Sequence, residues 1–255
     1  MAAPGGSSTI TGVEIELWFT SLKFAELFFE DNMTVTPQAL TNIDTKTGEV
    51  NIISVDDLHI KKGSKDYFFN IKYRSPNITH WTVSSLANTN VISDFLKQHQ
   101  QNPDSKLYFV TQSPCSLFQE VIPRAREAHN RKDIEIRLKT KTKKYLKEWD
   151  DLKKRSGFDD SALIRFSKNL HYKHIIDTDE IKKLITDKFK GHVRFHQTVL
   201  DHLFQLSIDA AKFKKTINKT KVIVFLEEKG ITRKSHLALN TIIDQFKLAS
   251  STLTT

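Results

Sequence analysis

Two runs of β-branched and aromatic residues flank a Gly-Ser pair, and no other feature limits the folding of this chain so sharply. Residues 49–62 (EVNIISVDDLHIKK) and 66–74 (DYFFNIKYR) have the composition of strands, and Gly63-Ser64 between them supplies a turn. An antiparallel hairpin is predicted. Its first strand carries Asp56-Asp57 and its second carries Asn70-Ile71-Lys72. Successive strand residues point to opposite faces, so the two aspartates diverge while Asn70 and Lys72 share a face. A carboxylate in an apolar strand is costly unless a counter-charge meets it. Folding at Gly63-Ser64 can bring Asp57 beside Asn70 or Lys72, so that a carboxylate, an amide oxygen and an ammonium converge.

The elements around the hairpin follow from periodicity. Residues 12–30 place Val13, Leu17, Phe24 and Phe28 on one line and Trp18, Leu22, Ala25 and Phe29 beside it, which predicts a mostly buried helix. Residues 33–42 read as extended, with Pro37 marking an edge or irregularity. Residues 81–100 read as a helix, ended by Asn102-Pro103-Asp104, and 106–111 (KLYFVT) as a short strand. From Ser116 onward the pattern is mainly helical, over residues 117–130, 140–154, 178–189, 195–215 and 235–248. Residues 134–138 could instead form a strand, and 222–226 (VIVFL) fit either state. The expected class is α/β, with a leader over 1–9, a core over 10–130 and a basic, mainly helical extension over 131–255.

Charge is unevenly spread. Residues 1–120 hold nine Lys and Arg against 13 Asp and Glu, whereas the remainder holds 30 against 17. A basic half beside a mildly acidic half fits a polyanion-binding surface next to a site that gathers carboxylates. The densest stretch is 137–155 (RLKTKTKKYLKEWDDLKKR), preceded by Arg124, Arg126, Arg131 and Lys132. These four, with Lys139, Lys141, Lys143 and Lys144, are the candidates for gripping phosphates; the plainer reading of such a run is a solvated helix face. A single cysteine, Cys115, excludes an internal disulfide framework and a cysteine-based zinc site. No Gly-rich nucleotide loop occurs, which argues against ATP-driven chemistry. The absence of a long apolar segment and of a signal-like leader predicts a cytoplasmic protein without a membrane partner.

The hairpin set suits phosphodiester hydrolysis. A carboxylate and an amide oxygen are ligands for a hard divalent cation, with Mg²⁺ expected and Mn²⁺ as a substitute. Such an ion polarises the phosphoryl oxygen and acidifies a bound water, while a lysine orients that water and neutralises developing charge. The competing reading is a simple cross-strand ion pair between Asp57 and Lys72. Elsewhere, His192-x-x-x-His196 has the spacing of two imidazoles on one helix face but no evident third ligand. Cys115 lacks a neighbouring histidine motif, and Tyr73 and Trp81 are expected to pack.

The order helix, strand, Asp-bearing strand, Lys-bearing strand, helix, strand resembles the PD-(D/E)xK nuclease fold, a mixed sheet flanked by helices. Val55-Asp56-Asp57-Leu58 followed by Phe68-Phe69-Asn70-Ile71-Lys72-Tyr73 is similar to the double-stranded-DNA endonuclease domain at the N-terminus of bacterial anti-phage proteins, among them CD-NTase-associated effectors and some STAND NTPases. The resemblance covers about residues 10–125. It implies a Mg²⁺-dependent endonuclease of low sequence specificity whose partners are double-stranded DNA and either further copies of itself or an attached sensor or NTPase module. It selects Asp57, which precedes an aliphatic residue, as metal ligand, and it assigns Lys72 to the lysine position. Asn70 stands where the family has Glu or Gln, so a catalytically impaired DNA-binding module, or an interaction scaffold on the same fold, is the alternative. A first-helix carboxylate completes such sites; Glu14 is the expected one over Glu16, because it lies one turn from Trp18. Gln112 could add a polar contact at the same end of the sheet.

Overall fold

A computed structural model of the protein describes residues 6–38, 41–43, 50–52, 55, 57–74, 80–139, 143–175 and 177–232. Helix α1 (Gly6–Phe29) begins inside the stretch expected to be a leader and is followed by β1 (Met33–Pro37), β2 (Thr41–Ile43) and β3 (Val50–Ile52). The hairpin is β4 (Leu58–Lys62) and β5 (Lys65–Lys72), in the register Leu58↔Phe69 to Lys62↔Lys65. Gly63 turns the chain at φ 60°, a conformation that costs glycine nothing and an L side chain about a kcal/mol or more.

Helices α2 (Val83–Asn88) and α3 (Val91–Gln101) lead to β6 (Lys106–Thr111). The single helix expected over 81–100 is therefore two, because Asn90 adopts the left-handed region at φ 62°. A π turn over Leu117–Val121 runs into α4 (Ile122–Ala125), where Pro123 lacks the N–H that regular α-helical pairing requires. Then follow α5 (Arg131–Lys139), α6 (Lys143–Ser156), α7 (Asp160–Ser167), β7 (Leu170–His174), α8 (Thr178–Phe189), a 3₁₀ turn at His196–Thr198, α9 (Val199–Lys212), β8 (Ile217–Asn218) and α10 (Lys219–Glu228). Residues 134–138 are thus helical, not a strand: Ile134 and Leu138, four apart, form the buried stripe of α5. Residues 222–226 resolve to helix behind the Asn218 cap, whose side chain accepts from the Lys221 amide. The helix expected over 235–248 lies outside the described residues.

Among the described residues the main sheet has the order β7-β6-β5-β4-β1-β8, antiparallel from β5 to β8 and parallel from β5 to β7. β2 and β3 pair separately. The expected continuous strand over 49–62 is therefore interrupted, and Asp57 lies at the interruption, one residue before β4. One face of the sheet is covered by α1, α8, α9 and α10 through Trp18, Phe24, Phe28, Phe189, Leu203 and Leu226. The other meets α2, α3 and α5–α7 through Phe95, Phe109, Phe118, Trp149 and Phe166. The result is a mixed α/β fold in three layers, as the hairpin and flanking periodicity predict.

Candidate functional site

Asp57 is clamped by backbone on both sides. Its carbonyl accepts a hydrogen bond from the Gln38 amide at 3.1 Å, extending the β1–β4 pairing by one residue. Its Oδ2 accepts from the Ile71 amide at 2.7 Å, taking the place of a ladder bond where β4 and β5 part. The same oxygen lies 3.1 Å from Lys72 Nζ. The Asp57 side chain is 11% exposed and that of Lys72 27%, so the pair opens to solvent on the lysine side. Convergence of acid and amine, expected from the hairpin, is present.

Asn70 completes the set. It shares a face of β5 with Lys72 and is 2% exposed, and its Oδ1 has no hydrogen-bond partner among the described residues. A buried, unsatisfied carbonyl oxygen costs about 1–3 kcal/mol and points to a water or ion at that position. The donor set fits Mg²⁺, which takes few protein oxygens and keeps several waters. Among the described residues no group of three or more His, Cys, Asp or Glu side chains could hold a metal ion; a cation at this position would need water or phosphate oxygens beside Asp57 and the Asn70 amide.

The helix carboxylate requires a correction. Glu14 is exposed, because at this end of α1 the buried line runs through Ile15, Trp18, Phe19 and Leu22, not through Val13, which is 46% exposed. The line that faces β5 contains Gly12, whose Cβ position lies 3.9 Å from Tyr73 Cβ, then Phe19 against Phe69 and Lys23 over the same ring. Glu16 belongs to that line, one turn after Gly12 and half-buried, on the side of the sheet where Phe69 and Ile71 of β5 pack, opposite to the face that carries Asn70 and Lys72. The signal in the sequence was Gly12 itself, which allows close approach of helix to strand.

The same end of the sheet is built from β6 and β7. Lys72 pairs in register with Thr111, whose hydroxyl accepts from Trp81 Nε1 at 3.0 Å. Trp81 is buried, with the Arg74 guanidinium 3.7 Å above its ring, so it packs as expected. The Gln112 backbone carbonyl bonds His174 Nε2 at 2.9 Å. His192 and His196 do not share a helix face: they lie in the turns between α8 and α9, and His192 packs against Phe29. Cys115 is buried, and burial pushes its thiol up to about 12.

The basic candidates divide. Arg126 is half-buried and donates to the Leu170 carbonyl at 2.7 Å, and burial lowers its pKa. Arg131 bonds Glu135 and Asp150, which raise its pKa, and Arg124 pairs with Glu120. Arg131 thus ties α5 to α6, Arg126 ties the end of α4 to β7, and Arg124 pairs within its own helical segment. Lys132, Lys139, Lys143 and Lys144 are exposed, with Glu135 at 3.3 Å from Lys139 and Glu148 at 3.7 Å from Lys144. Lys141 lies outside the described residues.

No protein-family model and no curated protein matches the chain. It is similar to the solved structure of the Acinetobacter baumannii Cap4 SAVED/CARF-domain containing receptor with the cyclic trinucleotide 3'3'3'-cAAA, at 12% identity and a TM-score of 0.50, covering 89% of this chain and 47% of that one. The Moraxella osloensis Cap4 receptor matches at 13% identity and a TM-score of 0.43, covering 85% and 48%. The chain therefore spans about half the length of these structures. At this identity the Acinetobacter likeness shows a shared fold. Among the described residues no helix is long and apolar enough to cross a membrane.

Proposed function

We propose that the chain is a divalent-metal-dependent endonuclease domain that hydrolyses double-stranded DNA with little sequence preference, as the effector part of an anti-phage protein. The observation that carries this reading is the meeting of Asp57 Oδ2 and Lys72 Nζ beside the buried, unpartnered Asn70 Oδ1. Asp57 and Asn70 would hold the cation. When bound, Mg²⁺ supplies Lewis acidity toward the phosphate and a more acidic water. The Ile71 amide fixes the Asp57 carboxylate in one orientation, so no rearrangement is needed when substrate arrives. Lys72, solvent-facing, exchanges its pairing with Asp57 for the non-bridging phosphate oxygens and orients the attacking water. Water oxygen bonds to phosphorus, the ester oxygen leaves, and one proton passes from the water to that oxygen. Exposed Lys132, Lys139, Lys143 and Lys144 are available to phosphates elsewhere on the duplex.

The defence role is supported by the resemblance of the hairpin motif to anti-phage effectors and by the fold shared with half of a Cap4 receptor. Control by self-association or by an attached sensor fits a nuclease that must stay silent in its own cell. A second reading, that the chain itself senses a cyclic oligonucleotide, draws on the cyclic trinucleotide present in the similar structure. Incubation with supercoiled plasmid separates them. Nicking that needs Mg²⁺ or Mn²⁺, stops with EDTA and falls about 100-fold or more in Lys72→Ala and Asp57→Ala supports the nuclease. Cleavage unaffected by both substitutions refutes it. Calorimetric binding of 3'3'3'-cAAA without plasmid cleavage supports the sensor. DNA binding without cleavage, with activity gained in Asn70→Glu, identifies an impaired nuclease.

A further inference from the structure

The last residue of α9 and the loop that follows toward β8 read Lys212-Phe213-Lys214-Lys215, and all four residues are exposed. Phe213 is 57% exposed, with Lys212 Nζ 5.2 Å and Lys215 Nζ 4.7 Å from its ring centroid. None of the three lysines has an acidic partner among the described residues, whereas Arg124, Arg131, Arg137, Lys139, Lys144 and Lys153 all have one. Clustered, unpaired positive charge at an exposed site attracts a polyanion.

Strand register places the loop. β8 pairs with β1 through Val35↔Ile217, and the Thr36 and Thr216 hydroxyls are 2.9 Å apart, so Lys215 comes level with Pro37. Pro37 is opposite Leu58, the residue after Asp57. Two inter-strand spacings therefore separate the loop backbone from Asp57, about 10 Å. That is the rise of about three nucleotides along a duplex strand.

The conformation adds an independent argument. Lys214 has φ 49°, and the amides of Lys214 and Lys215 donate to the carbonyls of Ala211 and Ala210 in a helix-ending turn. Glycine is the favoured residue at such a position, and a lysine there is held against its backbone preference.

We infer that the Lys212–Lys215 loop is a duplex-DNA contact, its lysines on phosphates two to three nucleotides from the scissile bond and Phe213 against the sugar edge of a groove. The inference deepens the nuclease reading by naming how substrate is positioned. Its test uses fluorescence anisotropy of a labelled 30-base-pair duplex, across a salt series, with the full 255-residue chain. Lys214→Gly relieves the backbone while removing the charge. It is expected to melt at or above the wild-type temperature, yet to lower the slope of log K against log salt by about 0.9. Lys215→Gln should do the same to the slope with unchanged stability. An unaltered slope in both variants overturns the contact. Plasmid cleavage measured in parallel keeps the two ideas apart: intact cutting with unaltered slopes sinks the loop alone, while reduced slopes without any metal-dependent cutting sink the nuclease alone.

Discussion

Removing the Asp57 carboxylate should reveal two separate functions of one oxygen. In Asp57→Ala the Ile71 amide loses a charged acceptor at 2.7 Å in a strand with little access to water. A hydrogen bond to a charged group contributes about 1.5–3 kcal/mol. The pair with Lys72 adds less than its geometry suggests: at 3.1 Å and an effective dielectric of about 20 the gross attraction is roughly 5 kcal/mol. Desolvation of a carboxylate that is 11% exposed and an ammonium that is 27% exposed offsets most of it, leaving up to about 1 kcal/mol. The expected loss is therefore about 2–4 kcal/mol, or roughly 4–16 °C in melting temperature. Asp57→Asn keeps an acceptor for Ile71 and should lose only about 1–2 kcal/mol, while abolishing metal-dependent cleavage as fully as the alanine variant. Urea titration and calorimetry on both variants provide the check, with a Lys72→Met double-mutant cycle to isolate the pair. A cost below about 0.5 kcal/mol for Asp57→Ala, or equal costs for Ala and Asn, would refute the clamp.

Three further outcomes are expected. Burial, with Arg126 and Lys106 nearby, lowers the His171 pKa to about 4. Its folded value lies below the unfolded one of about 6.5, so protonation favours the unfolded chain. Stability present above pH 6.5 is lost as pH falls toward 4, and His171→Phe should show a shallower acid slope in urea melts at pH 4.5 and 7.5. Cys115, buried with its thiol pushed up to about 12, should stay unreactive toward a disulfide reagent at pH 8 until denaturant is added; immediate labelling of native protein would contradict the packing. Trp149, fully buried and bonded through Nε1 to Asp160 at 3.0 Å, ties α6 to α7. Trp149→Ala should cost about 3–5 kcal/mol by chemical denaturation, with the Asp57 site unaffected in spectroscopic metal titrations.

The hairpin was legible because its signals are local. Gly63 tolerates a positive φ, β-branched and aromatic residues flank it, and the register between Asp57 and Lys72 follows from turn length alone. The first helix, β6 and the helical character beyond Ser116 were equally readable from period. β7 was not, since Leu170 and Tyr172 are its only alternating apolar residues, too short a pattern to mark a strand alone; the β6 edge supplies its hydrogen bonds. The inward orientation expected of Glu14 failed for a related reason. Periodicity identifies a buried stripe but not which neighbour covers which flank, and here α9 and β5 take different sides of α1.

What the sequence by itself determined is the chemistry within reach: an acid, an amide and an amine carried on two strands joined by one tight turn. Tertiary structure decided how that chemistry is held and what surrounds it. The Asp57 carboxylate is oriented by the Ile71 amide of its own hairpin, but its backbone carbonyl is held by the Gln38 amide just past β1, a pairing outside the hairpin that no local pattern encodes. Charge was misleading to read linearly, because Arg131, Lys139, Lys144 and Lys153 of the long run meet acids one turn away or on a facing helix, whereas Lys132 and Lys143 have no ion pair among the described residues. The three lysines within 212–215 keep theirs. Neighbours in space, not in sequence, set which charges remain to meet a partner.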